Sequence, residues 1–72
     1  MNPVKTVDEA ITFVENYNGP AENFELAVAD SLLDPVGINM AIITDKVLSK
    51  GFRPAGFEQK EGFRIFKFKE LE

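Results

Sequence analysis

Residues 34–69, DPVGINMAIITDKVLSKGFRPAGFEQKEGFRIFKFK, decide how this chain folds. They hold in order a turn, an amphipathic helix closed by Gly51, and a Phe-rich hairpin. Asp34-Pro35-Val36-Gly37 has the side chains of a type I turn, with Asp able to bond the backbone two residues on and Pro presetting φ at the second position. The same four residues can instead open a helix, with Asp34 as N-cap and Pro35 at the first helical position. Inside a helix Gly37 would cost about 1 kcal/mol relative to Ala, which favours a turn followed by a helix over about 39–50.

In that helix Met40, Ile43 and Val47 recur at i, i+3 and i+7, and Ala41 and Leu48 widen the apolar stripe. Asp45, Lys46, Ser49 and Lys50 fall on the opposite face. Lys46 and Lys50 suit the negative end of the helix dipole, and Gly51 can take the left-handed conformation that ends the helix. Ile42 points away from Met40, among the polar side chains. It is an isolated exposed apolar residue, a residue packed under the hairpin, or part of a partner surface.

Beyond Gly51, two aromatic or β-branched runs at about 52–58 and 63–69 flank a short loop ending in Gly62, the pattern of a β-hairpin. Pro54 cannot donate to a ladder, so the first of these strands is expected at a sheet edge. In the second, Phe63, Ile65 and Lys67 share one face and Arg64, Phe66 and Phe68 the other, so both faces need some cover.

Upstream, Thr6 and Glu9 fit a capping box, and Val7, Ala10, Ile11, Val14 and Tyr17 form one apolar stripe. A helix is expected over about 7–18, stopped by Asn18-Gly19-Pro20, with Gly19 in the left-handed region. The segment 21–33 carries two patterns. Phe24, Val28 and Leu32 are spaced by four as in a helix, while Phe24, Leu26 and Val28 alternate as in a strand. Pro20 and the helix formers Glu25, Leu26, Ala27 and Ala29 favour helix over 21–33; a strand at 24–30 would instead add a third strand to the hairpin. Residues 70–72 are expected to fray.

The 72 residues, 44% hydrophobic and 28% charged, make a single small globular domain over 1–72, near the size at which one core is only marginally sufficient. Dimerisation is therefore compatible with the sequence. With no Cys and no His, disulfides, thiolate chemistry, zinc–thiolate sites and the usual general base are excluded. No apolar run approaches the roughly 18 residues of a membrane span, and residues 1–5 lack the features of a signal peptide. The expected location is cytoplasmic, with no membrane partner.

Chemistry finds little support. Ser31 and Ser49 have no base to activate them, Asp30 and Asp34 read as solvated carboxylates a turn apart, and no phosphate-cradling glycine motif occurs. The expectation is a protein that is not an enzyme and takes no cofactor or metal. Net charge is −4, with one Lys against eight Asp and Glu in residues 1–45 and seven Lys and Arg against four Glu in residues 46–72. An acidic whole disfavours nonspecific nucleic-acid binding, but the hairpin interleaves Arg53, Lys60, Arg64, Lys67 and Lys69 with Phe57, Phe63, Phe66 and Phe68. Exposed aromatics between cations can stack bases, whereas buried ones would form the core with the cations shielding strand edges.

The order helix, helix, turn, helix, hairpin resembles the winged-helix family. The resemblance is most specific in Val47-Leu48-Ser49-Lys50-Gly51-Phe52, the exit from the family's recognition helix, and in residues 61–68, the return strand of its wing. It implies an α+β fold of two to three helices followed by a β-hairpin. It also implies Asn39, Ile42, Lys46 and Ser49 at bases and Lys60 or Arg64 at phosphate. The chain differs from the family in Asp45 beside the reading face, Pro35 in the turn, and no clear strand between the first two helices. Winged helices also serve as protein-binding modules. Acidity and small size favour a regulatory or adaptor module that binds a protein, itself included; the alternative is nucleic-acid binding through the last helix and hairpin. The expected interaction surface holds Asn39, Ile42, Lys46, Ser49, Arg53, Lys60, Arg64 and Lys67.

Overall fold

Thr6 and Glu9 form the reciprocal cap that their spacing implies: the Glu9 N–H donates to Thr6 Oγ1 at 3.1 Å, and the Glu9 carboxylate accepts the Thr6 N–H at 3.1 Å. They start α1 (Val7–Asn16) in the computed structural model, which describes residues 2–71. Ala10 and Val14 are its buried face. The helix stops two residues short of the expected 18 because Tyr17 turns to an extended conformation, stacks its ring on Phe24 at 4.4 Å, and donates its hydroxyl to the Pro20 carbonyl. Gly19 is consequently not the left-handed cap expected of it, and positive φ among the described residues occurs at Gly37, Gly51, Gly56 and Gly62.

The helix expected over 21–33 is replaced by a 3-10 turn (Ala21–Asn23), strand β1 (Glu25–Ala29) and a second 3-10 turn (Asp30–Leu32). Pro20 precedes the first of these turns as its cap. Burial explains the outcome. As a strand, Phe24, Leu26 and Val28 all face the core, whereas a helix would rotate Leu26 about 200° away from Phe24. Fully burying one Leu is worth about 1.5–3 kcal/mol, more than the few tenths per residue by which propensity separates these side chains.

A turn hydrogen bond from the Gly37 N–H to the Asp34 carbonyl (3.1 Å) precedes α2 (Ile38–Ser49), so the turn does come first. Ile43 and Val47 are fully buried and Met40 half-buried, but Ala41 and Leu48 are exposed, narrower than the expected stripe. At 100° per residue they lie about 160° and 140° from Ile43, outside the contact strip. Gly51, at φ 89°, closes the helix as its position implies, and Phe52 returns to the core against Phe24.

Strands β2 (Phe52–Lys60) and β3 (Phe63–Glu70) form the hairpin, with Gly62 at φ 86° in its turn. The sheet is antiparallel in the order β1-β3-β2, with Glu25 opposite Lys67 and Ala29 opposite Phe63. β2 is thus an edge strand, as Pro54 requires, and its register shifts between Pro54 and Gly56. On the other edge Val4 bridges β1, donating to the Ala27 carbonyl at 2.8 Å and accepting the Ala29 N–H at 2.9 Å. Glu70 belongs to β3 and the Leu71 N–H donates to the Gly51 carbonyl at 2.9 Å, so neither is frayed; Glu72 and Met1 lie outside the described residues.

The result is a small α+β domain in which both helices lie on one side of a three-stranded sheet. Their buried side chains meet Phe24, Leu26, Val28 and Phe68 there. No helix among the described residues is long and apolar enough to cross a membrane.

Candidate interaction surfaces

The exposed side of α2 is organised by Asp34. Its carboxylate accepts the Ile38 N–H at 2.9 Å and the Asn39 N–H at 3.0 Å, which satisfies two free donors at the helix start. These bonds, that of Asn39 foremost, hold the Asp34 carboxyl below the usual Asp range. Asn39 is half-buried, and its side-chain amide donates to the Leu32 carbonyl at 2.9 Å, tying α2 to the preceding 3-10 turn. At the far end Lys46 pairs with the Glu15 carboxylate at 3.4 Å, and Lys50 donates to the Glu15 carbonyl at 3.4 Å. Both cations therefore sit at the C-terminal end of α1, where backbone carbonyls lack helical partners. The Ser49 hydroxyl donates to the Lys46 carbonyl at 2.7 Å.

Of the four α2 residues expected at a reading face, three thus bond within the chain and Ile42 does not. Ile42 is 44% exposed, and two neighbours that the sequence reading did not single out are more so, Ile38 at 59% and Val36 at 75%. Because α2 and β2 run in opposite directions from Gly51, Phe57 lies toward the same end of the molecule, on the helix side of the sheet and 57% exposed. Val36 and Ile38 flank the turn glycine Gly37. Turn residues lie at the surface, and this was the signal available in the sequence.

Strand register separates the cations that the hairpin interleaves. Arg64 lies on the helix side, half-buried, with its guanidinium 4.3 Å from the Phe57 ring centre and its Nε donating to Gln59 Oε1 at 2.8 Å. Gln59 donates in turn to the Asp30 carboxylate at 3.1 Å and the Phe63 carbonyl at 3.0 Å. Asp30 and Asp34 are thereby engaged with different partners rather than with one another. Arg53, Lys60, Lys67 and Lys69 lie on the outer face with Ala27, Ala29, Phe63 and Ile65, by their pairing partners. There Lys60 pairs with Glu58 at 3.0 Å, and this bond, helped by the more distant Lys67, holds the Glu58 carboxyl below its usual range. Arg53 stands directly opposite Lys69.

The hairpin aromatics divide in the same way. Phe68 is buried, Phe52, Phe63 and Phe66 are half-buried, and only Phe57 is open to solvent. Two surfaces emerge: apolar side chains exposed at the start of α2, with Phe57 exposed on the same side of the sheet, and a cationic sheet face opposite the helices.

In comparison with known proteins, no family model matches the chain, no curated sequence matches it, and no solved structure matches its fold.

Proposed function

We propose that this domain is a protein-binding module of regulatory or adaptor type, docking a partner through the apolar surface of Val36, Ile38, Ile42 and Phe57. One observation carries the reading: Ile38, Ala41, Ile42 and Leu48 are exposed aliphatic side chains of α2, with Asp45 the exposed charge among them, while Asn39, Lys46 and Ser49 bond within the chain. Val36, Ile38 and Ile42 are close in sequence at the start of α2, Phe57 is exposed on the same side of the sheet, and exposed apolar side chains gathered on one side mark protein contacts, whereas a helix that reads DNA needs free polar groups at its surface. Pull-down with wild type and with Ile38→Asp tests it, using Thr12→Asp on the exposed face of α1 as the control. A protein retained by wild type and the control but lost with Ile38→Asp is the expected result; equal retention by all three removes this surface from the account.

The second reading, winged-helix nucleic-acid binding, is favoured by element order. β1 lies between α1 and α2, where the family places a strand that the sequence did not make clear, and the hairpin follows the last helix. Against it stand the short 3-10 turn in place of a middle helix and the engagement of Lys46 by Glu15.

A further inference from the structure

The outer face of the sheet is the side that α1 and α2 do not cover, and no other element forms a layer over it among the described residues. Its centre is apolar: Ala27 stands opposite Ile65 and Ala29 opposite Phe63, and both alanines are themselves buried, which leaves Phe63 and Ile65 as the accessible apolar side chains. Small side chains on β1 beside large ones on β3 form a step along the sheet, and Phe63 and Ile65 remain only half-buried. Around this strip the strands place Arg53, Lys60, Lys67 and Lys69, against the carboxylates Glu25 and Glu58. Lys60 is bound to Glu58, but Arg53, Lys67 and Lys69 form no ion pair among the described residues. Arg53 directly opposite Lys69 is a like-charge pair that destabilises an isolated sheet, while Lys67, two positions away on the same face, stands opposite Glu25.

We propose that this face docks an amphipathic helix of a partner protein whose apolar stripe is flanked by Asp and Glu. It rests on the reading of the chain as a protein-binding module but uses the opposite side of the sheet from Ile38. Outer strand axes of a three-stranded sheet lie about 10 Å apart, which matches the roughly 10–12 Å diameter of one helix. The apolar stripe of that helix covers Phe63 and Ile65, and its carboxylates sit between Arg53, Lys67 and Lys69, relieving their mutual repulsion. Long Lys stems can extend the apolar contact while keeping their charges at the rim. A second copy docking by the same face would set cations against cations. Nucleic acid fits less well, because among the described residues Phe63 is the only aromatic ring on this face and is half-buried, while exposed Phe57 lies on the other side under Arg64. The remainder of the chain is acidic, so attraction of an acidic helix is confined to this face and orients its approach.

The test is an amide-shift titration of the labelled full chain with two synthetic helical peptides and oligothymidylate, at low and moderate salt. The peptides share one Leu stripe and are flanked by Glu in one and by Lys in the other. The Glu peptide is expected to shift amides of residues 25–29 and 63–70, the Lys peptide to leave them in place, and the double change Arg53→Glu, Lys69→Glu to weaken Glu-peptide binding about tenfold or more. Lys69→Glu alone removes a like-charge pair and should fold at least as well as wild type, so its weaker binding cannot be ascribed to unfolding. Equal binding of both peptides, shifts confined to residues 36–42, tighter binding of oligothymidylate than of the Glu peptide, or no shifts would each overturn the proposal. Because Ile38→Asp leaves this face intact, loss of the α2 surface and loss of this one are separately visible.

Discussion

Asp34 unites two roles that its sequence context presented as alternatives. Its carbonyl closes the turn onto Gly37, and its carboxylate also caps α2 through Ile38 and Asn39. Asp34→Ala is expected to speed amide exchange in the first turn of α2 and lower the melting temperature. The folded carboxyl titrates below the usual Asp value of about 3.9, so its contribution is complete above that pH and is lost as pH falls through the lower folded value. Urea midpoints followed downward from pH 5 should therefore drop less in Asp34→Ala than in wild type. Phe24 shows the other extreme. Buried and within 4.4–4.8 Å of the rings of Tyr17, Phe52 and Phe68, it should cost about 3–5 kcal/mol when changed to Ala, measured by denaturant unfolding. Its burial was legible in either pattern of its segment, because helix and strand both turn Phe24 inward. The engagement of Asn39 was not legible, since the Leu32 carbonyl reaches it only through the 3-10 turn that ends β1.

Among the elements, α1, the turn before α2, Gly51 and the hairpin follow local rules and could be read directly from capping residues, glycines and periodicity. β1 could not. Its five residues include helix formers, and what makes them a strand is pairing with Phe63 through Lys67, more than thirty residues downstream. Register, likewise invisible before the sheet order is known, is what moves Arg64 to the helix side and gathers Arg53, Lys67 and Lys69 on the other. It also yields a test of the β2–β3 pairing. Lys69→Glu places a carboxylate opposite Arg53 and is expected to stabilise the domain by about 0.2–1 kcal/mol, seen as a raised melting temperature at low salt. A lowered melting temperature would contradict the register.

For the whole molecule, the decisive feature is one-sidedness. Both helices lie on one face of the sheet, eight of the twelve acidic residues fall in the first 45 positions, and Lys46 of α2 and the following Lys50 reach Glu15 at the end of α1 while remaining solvent-accessible. The net charge of −4 and the local count of Lys and Arg point in opposite directions for α2, and the pairing of Lys46 with Glu15 lowers the free positive charge there. Neither could reveal which side chains α1 would neutralise. These observations favour docking of protein at α2 over reading of nucleic acid by it. The most direct measurement is an amide-shift titration of the full chain with mixed-sequence double-stranded DNA and single-stranded RNA at low and moderate salt. The account predicts no shifts along residues 38–49 even at low salt. Salt-sensitive shifts along those residues, running on into the hairpin, would contradict it.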